Sequence, residues 1–316
     1  MIKDKIFDYD LDVLLDEAKK IRFANFGSRV CLRLAHNYLT KRKCTSDCAF
    51  CTWSRNSTLD YAEKEGLVVG RNGNSGIDED SCSKSTEIAF SLGAGIELTS
   101  NIERMDNENL LRSLCEIIEK ISKKTQVGIQ PGIIRKCDKR YFKFLKEAGA
   151  NWFCNDLETA PSYFRKICTT HAIEEKFDSL AMARETGLKI FSGFCVGIGE
   201  TFEQRIEVIE ALKKLNTDGV IISFFYDVPG IPLHGKVAKL NPDEALKTIA
   251  LTRILLPNTP IIIGGGRRYV FGEKQYLVYE AGATGIYLGV FLNHPRPSVE
   301  KDLAVIKSLG LNISSF

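Results

Sequence analysis

Hydrophobic and polar positions follow two different periods along this chain. The stretch DVLLDEAKKIRFANFG, residues 12–27, repeats apolar residues at three- and four-residue spacing, which is typical of an amphipathic helix that ends at Gly27. The next stretch, RVCLRLAHNY at 29–38, alternates apolar and polar residues and predicts a strand. Apolar strand-like runs then recur, separated by longer helical patterns, so the sequence predicts a repeating strand–helix unit.

Seven further segments are predicted to be strands because they are short and rich in β-branched and aromatic residues. A single helix is expected to run from the fourth strand to Thr186, and another to begin at Asn241 and Pro242. A Gly-, Asn- and Ser-rich excursion at 70–82 interrupts the pattern after the first strand. The seven segments are GIELTS (95–100), QVGIQPGII (126–134), NWFCNDLE (151–158), KIFSGFCVGIGE (189–200), GVIISFFYDV (219–228), PIIIGGG (260–266) and GIYLG (285–289).

Strands that alternate with amphipathic helices call for a parallel sheet with helical crossovers. No linker divides the eight strands, and 316 residues suit one large unit better than two small domains. The predicted fold class is therefore α/β, a (β/α)8 barrel of the TIM type that forms a single domain over 1–316. Residues 1–27 form its N-terminal helical lead-in. The chemistry of such a barrel is expected at the C-terminal ends of the strands.

Composition and charge narrow the class of protein. The net charge is +3 with both signs interspersed, so a nucleic-acid partner is not expected. The start of the chain, MIKDKIFDYDLD, lacks the apolar core of a signal peptide, and no apolar run approaches the ~18 residues of a membrane span. We therefore expect a cytoplasmic protein with no membrane partner.

Three of the ten cysteines lie close together in KCTSDCAFCTW, residues 43–53. A cytoplasmic location argues against a disulfide framework. A structural zinc site or a ferredoxin cluster would need a fourth protein ligand, and none is nearby. Cys44, Cys48 and Cys51 instead leave one iron of a [4Fe-4S] cluster open to another ligand. They fall on the loop after the first strand, at the face where the chemistry is expected.

Cys-x3-Cys-x2-Cys at this place in a (β/α) barrel resembles the signature of the radical S-adenosylmethionine (SAM) superfamily. The resemblance implies that the open iron binds SAM and that the cluster cleaves it to a 5′-deoxyadenosyl radical, which abstracts hydrogen from an unactivated carbon. It also implies that Phe50 lies against the adenine. GFCVGIGE, 193–200, resembles the fifth-strand motif, in which Gly193 and Gly197 admit the nucleoside and Cys195 backs the adenine.

From residue 151 onward the chain resembles the biotin synthase branch of this superfamily. The resemblance is carried by NWFCNDLETAPSYFRKICTTH (151–171), VPGIPL (228–233) and the part from about 230 to 316 that is associated with biotin and thiamin synthases. It implies that Asp156 and Glu158 contact SAM and substrate. His171 falls where the family has an arginine directed at the SAM carboxylate, and Tyr226 and Ser223 would line the nucleoside and substrate regions.

Parity along the fourth strand supports a role for the two carboxylates. Alternation places Cys154, Asp156 and Glu158 on one face of that strand. Carboxylates that point into a barrel lumen are costly unless they bind something. The same alternation gives Cys31 an inward position on the first strand.

The chain departs from biotin synthases at their sulfur donor. Those enzymes hold a [2Fe-2S] cluster with three cysteines, on strands two, three and five, and an arginine on strand eight. Arg267 is interpreted as that arginine, but Leu98 and Phe191 occupy two of the cysteine positions and QVGIQPG provides no third. One alternative is a second cluster held by other cysteines, namely Cys31, Cys154 and Cys168, with Cys195 as a fourth ligand. The other is that no sulfur is inserted.

The leading hypothesis is a sulfurtransferase of the biotin synthase type, which inserts sulfur into unactivated C–H bonds to form biotin from dethiobiotin or a lipoyl group from an octanoyl group. The alternative is a sulfur-free rearrangement or a maturase, similar to methylornithine synthase or to hydrogenase maturases. A non-catalytic iron–sulfur carrier is a third class, for which the lumenal carboxylates would have no use. Expected partners are a small-molecule or acyl substrate and an external one-electron reductant, flavodoxin or ferredoxin. A homodimer is left open.

Overall fold

The computed structural model describes residues 10–39, 44–59, 79–100, 108–131, 138–288 and 299–314. The first helix, α1 (Leu11–Phe26), begins at Asp10, whose carboxylate accepts a hydrogen bond from the backbone N–H of Asp12 at 3.1 Å. It ends at Gly27, as the spacing of apolar residues predicts, because Gly27 adopts a φ of 57° that favours glycine.

Eight parallel strands form a closed barrel. They lie side by side from β2 to β8 in chain order, and β1 pairs with both β8 and β2. A ninth short strand, β9 (Asn312–Ile313), adds to the first two residues of β1. The barrel strands are β1 (Arg29–Leu39), β2 (Gly95–Ser100), β3 (Val127–Gln130), β4 (Trp152–Cys154), β5 (Lys189–Val196), β6 (Gly219–Phe224), β7 (Ile261–Ile263) and β8 (Gly285–Leu288). The predicted TIM-type barrel is confirmed.

Helices surround the barrel, and several begin where the capping residues predict. The Asn241 side chain accepts from the N–H of Asp243, and Pro242 opens the helix. Thr201 and Gln204 form a capping box. The remaining helices are α2 (Glu79–Ser91), α3 (Glu108–Ile121), α4 (Lys139–Glu147), α5 (Pro161–Ile167), α6 (Ile173–Glu185), α7 (Phe202–Leu215), α8 (Pro242–Leu255), α9 (Arg267–Phe271), α10 (Leu277–Glu280) and α11 (Val299–Ser308), with a 3-10 turn at Gly272–Lys274.

The prediction of one continuous helix before Thr186 is wrong. The chain forms α5 and α6 instead, separated by residues 168–172. The backbone N–H groups of Thr169 and Thr170 donate to the carboxylate of Asp47, at 2.9 and 3.1 Å, and so do not take part in helical hydrogen bonds. The break therefore depends on a residue more than a hundred positions earlier, which helical periodicity does not reveal.

Alternation along β1 divides its side chains between two environments. The side chains of Val30 and Leu32 point away from the lumen and are buried in the main core between the barrel and the helices. Cys31 points inward and packs in a separate lumenal cluster with Trp152 and Phe191. The Gly/Asn/Ser-rich excursion lies largely outside the described residues. Within the part of the chain that is described, no helix is long and apolar enough to cross a membrane.

Candidate functional site

A cavity of about 250 Å³ opens at the C-terminal ends of the strands. It lies at the face where the sequence predicts the chemistry. Its polar and sulfur-containing lining comes from the cysteine loop and from six of the eight strands or the segments after them. These residues include Asn37, Cys44, Cys48, Cys51, Thr99, Gln130, Asn155, Asp156, Glu158, Cys195, Ser223 and Tyr226, and Lys176 on α6 also lines the cavity.

The cysteine loop is folded by its own backbone hydrogen bonds. The N–H of Cys44 donates to the carbonyl of Trp53 at 2.8 Å, and the N–H of Arg55 donates to that of Ser46 at 2.8 Å. The N–H of Cys51 donates to the carbonyl of Cys48 at 3.2 Å. This arrangement presents all three predicted metal ligands, each only partly exposed, to the same cavity.

Hydrogen bonding and burial disfavour the free thiolate forms of Cys48 and Cys51. Burial raises the pKa of Cys51 to about 12, although the backbone N–H groups of Trp53 and Ser54 oppose this by donating to its sulfur. The pKa of Cys48 is also well above its usual range, because its S–H donates to Cys168 and because it is buried. Without a cation these thiols stay protonated, so metal binding and proton release are coupled here.

Two carboxylates and a lysine form the base of the cavity. Burial, together with repulsion from Glu158, raises the pKa of Asp156 to about 8. Its Oδ2 accepts a hydrogen bond from Gln130 Nε2 at 3.0 Å, and its Oδ1 accepts one from Cys154 Sγ at 3.6 Å. Lys176 Nζ lies 3.6 Å from Glu158 Oε1 and donates to the carbonyl of Asp156 at 2.6 Å. Near neutral pH, Asp156 is therefore a proton donor beside a Glu158–Lys176 ion pair.

Backbone strain occurs at one residue of this base. Glu158 has a φ of 69°, which is uncommon for a residue with a side chain. Its N–H donates to the carbonyl of Gly193 at 3.1 Å, and its carbonyl accepts from the N–H of Cys195 at 2.8 Å. These two bonds to β5 hold Glu158 in the strained conformation and direct it towards the cavity, a pattern that is common at functional sites.

Comparison with known families shows the family of the chain. The profile of the Radical SAM superfamily matches residues 38–212, more than half of the chain, and that of the Biotin and Thiamin Synthesis associated domain matches residues 221–312. The chain belongs to the radical SAM superfamily. Radical SAM enzymes use a [4Fe-4S] cluster and SAM, and when bound these supply a one-electron cleavage that yields a 5′-deoxyadenosyl radical. Three thiols on one cavity wall are a ligand set that fits such a cluster with one iron left open.

Curated relatives of this radical SAM chain include several biotin synthases. That of Geotalea uraniireducens is 33% identical, covering 94% of this chain and 87% of the relative. That of Endomicrobium trichonymphae is 32% identical, covering 98% and 92%. Among solved structures, methylornithine synthase matches with a TM-score of 0.77 at 18% identity, covering 100% of this chain and 98% of that one. The FeFe-hydrogenase maturase HydG from Carboxydothermus hydrogenoformans matches with 0.75 at 18% identity, covering 98% and 74%. These two likenesses show the fold alone.

Several residues predicted for the cofactor line the cavity of this radical SAM enzyme. Phe50 lies on the cysteine loop, Cys195 on β5, and Ser223 and Tyr226 on and after β6. The Tyr226 ring packs edge-to-face on Tyr269, with ring centroids 4.6 Å apart. The roles predicted for these residues towards SAM stay predictions.

The two glycines of the β5 motif act within the protein. A Cβ at Gly193 would lie 2.0 Å from the carbonyl oxygen of Ile221, so glycine there permits the close pairing of β5 and β6. Gly197 has a φ of 94°. Its N–H and that of Ile198 donate to the Glu200 carboxylate, at 2.9 and 2.8 Å. Neither glycine is among the residues that line the cavity, and their close approach to the nucleoside stays a prediction.

His171 and Arg267 are not brought to the cavity. His171 is buried, with its Nδ1 3.0 Å from Cys168 Sγ. Arg267 is also buried, and its guanidinium donates to the Asp302 carboxylate on α11. The roles predicted for His171 towards SAM and for Arg267 at a second cluster stay predictions.

The three cysteines proposed for a second cluster do not meet. Cys168 lies beside Cys48 at the cysteine loop. Cys154 contacts Asp156 at the base of the upper cavity, whereas Cys31 lines a cavity of about 30 Å³ at the opposite end of the barrel with Pro260. Such a volume holds about one or two waters. Cys31, Cys154 and Cys168 therefore do not form the predicted ligand set.

A packed layer of charged and aromatic residues, which we call the lumenal plug, separates Cys31 from Cys154. Glu97 is its centre, and it accepts hydrogen bonds from Trp152 Nε1 at 2.7 Å and from the Tyr287 hydroxyl at 2.6 Å. Arg33 Nη1 lies 3.5 Å from the same carboxylate, and its guanidinium stacks on Trp152 and Phe191 at 4.1 and 3.8 Å from the ring centroids. All five residues are buried.

The lumenal plug and Lys176 at the base of the cavity were not predicted from the sequence. Strict alternation along CLRLA and GIELTS could have placed Arg33 and Glu97 inward. It would also have shown that Leu98, interpreted as a donor-site position, faces the outer core instead. Lys176 had no such signal, since a lysine on an amphipathic helix usually faces water, and its burial at 4% side-chain exposure follows from its bonds to β4.

Proposed function

We propose that this radical SAM enzyme catalyses a sulfur-free reaction, a hydrogen abstraction followed by rearrangement of a small-molecule substrate held at the base of the upper cavity. The observation that carries this proposal is the lumenal plug. A sulfur donor must lie within reach of the substrate radical, and the space below the cavity is filled by Arg33, Glu97 and their aromatic neighbours. The inward positions that could hold a donor carry no suitable set of ligands.

Lumenal residues on the strands of the usual donor support the proposal in detail. On β2 the inward residues are Glu97 and Thr99, and on β5 they include Phe191 and Cys195. On β3 Gln130 lines the cavity, and on β8 Tyr287 packs in the lumenal cluster. Only Cys195 among these side chains carries a thiol, whereas an iron–sulfur cluster usually takes about four thiolate ligands.

The residues at the base of the cavity have defined tasks in this proposal. Asp156, protonated near neutral pH, donates a hydrogen bond to an acceptor on substrate or SAM. Glu158, paired with Lys176, accepts from an ammonium or hydroxyl group. Phe50 and Tyr226 provide apolar walls that exclude water from the reacting carbon.

Sulfur insertion is the second candidate. The specific observation in its favour is the similarity to biotin synthases, at 33% identity over 94% of the chain in one case. It requires a sulfide source that the described residues do not build in the lumen.

The two candidates can be separated with offered substrates. The reconstituted enzyme, given SAM and a strong reductant, is incubated anaerobically with dethiobiotin and, separately, with an octanoylated peptide. We expect 5′-deoxyadenosine only at its substrate-free background rate and no thiolated product. Formation of biotin or of a lipoyl group, with loss of protein-bound sulfide, would overturn the sulfur-free proposal.

A further inference from the structure

The segment between α5 and α6 is fixed to the cysteine loop by several hydrogen bonds. The Asp47 carboxylate accepts from the N–H groups of Thr169 and Thr170 and from the Thr170 hydroxyl, the last at 2.9 Å. The N–H of Ala49 donates to the carbonyl of Ile167 at 2.8 Å. Burial disfavours ionisation of Asp47, but these hydrogen bonds outweigh it and lower the pKa of Asp47 well below its usual range. The loop and the segment therefore form one preorganised unit.

This contact brings together three potential metal ligands. Cys48 Sγ, Cys168 Sγ and a ring nitrogen of His171 all lie within 4.8 Å of one another. Cys168 and His171 are only 1% and 3% exposed. In the described part of the chain, this is the one group of three or more such ligands that could hold a metal ion. Cys44 and Cys51 do not belong to it.

The chemistry of the group matches a borderline-soft divalent cation. Zinc prefers thiolate and imidazole ligands in a tetrahedral arrangement. Metal–sulfur bonds of ~2.3 Å and metal–nitrogen bonds of ~2.0 Å place tetrahedral ligands about 3.5 to 3.8 Å apart. The distances from Cys168 Sγ to the two ring nitrogens of His171, 3.0 Å to Nδ1 and 3.9 Å to Nε2, lie on either side of this spacing, so small movements of the side chains are sufficient. The fourth position is open to water.

We propose that Cys48, Cys168 and His171 form a mononuclear site for a zinc-type cation in the cluster-free enzyme. Because Cys48 belongs both to this site and to the cluster loop, the two metal centres exclude each other. A cation bound here holds the loop in its folded position while it blocks assembly of the [4Fe-4S] cluster. The proposal rests on the contact between loop and segment and is independent of the reaction that the enzyme catalyses.

Cobalt(II) titration of the cluster-free, full-length protein under anaerobic conditions tests the site. Thiolate-to-cobalt charge-transfer absorption should saturate at one equivalent. Cys168→Ser should weaken Co²⁺ binding at least tenfold, and His171→Asn should weaken it and shift the visible bands. Cys44→Ser is the matched control, since it also removes one thiol of the same region but should leave Co²⁺ binding unchanged. Circular dichroism checks that each variant is folded.

A competition experiment tests the exclusion. Wild-type protein loaded with one equivalent of Zn²⁺ should take up iron and sulfide several-fold more slowly than zinc-free protein, and Cys168→Ser should show no such delay. The proposal is overturned if Co²⁺ binding is equal in wild type and Cys168→Ser. It is also overturned if binding is lost in Cys44→Ser, because the cluster loop alone would then be the ligand set.

Discussion

The upper and lower halves of the barrel lumen both contain carboxyl groups. The hydrogen bonds and charges around these groups differ between the two halves. In the lumenal plug, Glu97 is fully buried and receives hydrogen bonds from Trp152 and Tyr287 as well as the charge of Arg33. In the cavity above, the pKa of Asp156 is raised, and its side chain accepts a hydrogen bond from one amide donor, Gln130.

This difference indicates that the lower half of the lumen has a structural role and the upper half a functional one. A buried charge with its hydrogen bonds satisfied is fixed in place and can do little chemistry. A carboxylate in a cavity with unmet hydrogen-bonding capacity is ready to bind a ligand. The plug therefore closes the barrel below, and the cavity base is available to SAM and substrate.

The largest effect is expected from removal of the cysteine that the loop directs into the upper cavity. Cys48→Ala should abolish 5′-deoxyadenosine formation from SAM, because a cluster with two protein ligands is not stably held. The measurement is chromatography of the reaction after anaerobic reconstitution. Cys115→Ala is the control and should behave as wild type, because Cys115 is half-buried on α3 and does not line the cavity. Cleavage of SAM by Cys48→Ala at the wild-type rate would disprove the role of the loop.

Substitution of Glu97 in the lumenal plug should lower the free energy of unfolding. Glu97→Gln leaves the Arg33 guanidinium buried without its partner, and loss of one member of a buried ion pair costs about 3 to 5 kcal/mol. Denaturant unfolding of the cluster-free protein measures this. The double variant Arg33→Met/Glu97→Gln should recover most of the loss, since it leaves no unpaired charge and the amide oxygen can still accept a hydrogen bond from Trp152 or Tyr287. An unchanged unfolding free energy in Glu97→Gln would show that the plug is not a coupled unit.

Removal of the carboxyl charge in the cavity, by Asp156→Asn, should instead raise the free energy of unfolding. Because the folded-state pKa of Asp156 is raised to about 8, folding must keep a proton that the unfolded chain loses near pH 4. Its penalty on stability therefore grows as pH rises from about 4 and levels off above about 8. Asp156→Asn removes this penalty.

Thermal unfolding of the cluster-free protein across this pH range is the measurement. The melting temperature of Asp156→Asn should exceed that of wild type at pH 8 and approach it at pH 4. Asn155→Asp, its neighbour, provides a contrast, because it adds a charge and should lower stability as pH rises. A constant difference between Asp156→Asn and wild type at all pH values would contradict the raised pKa.

The sequence was sufficient for features that depend on local pattern. Alternation and helical spacing identify the eight strands, and the Cys44, Cys48, Cys51 spacing identifies the family. It was not sufficient where long-range contacts decide. The break before α6 depends on Asp47, and the burial of Lys176 depends on bonds to β4.

The alternation of inward and outward side chains along a strand was also not sufficient to predict a second cluster. Cys31 and Cys154 do point inward, as alternation predicts, but they lie at different depths of the lumen. Parity specifies a face and not a height along the barrel axis. The barrel stagger and the size of Arg33 and Trp152 decide which inward side chains can meet, and neither is visible in one strand alone.

The most direct test of the sulfur-free account is the iron and acid-labile sulfide content of the fully reconstituted chain, measured beside a Cys31→Ala/Cys154→Ala double variant. Because one cluster is expected at the loop and the plug fills the space below, we predict about four iron atoms per chain in both proteins. A content of about eight irons in the parent chain, falling to about four in the double variant, would contradict the account and establish a second cluster in the lumen.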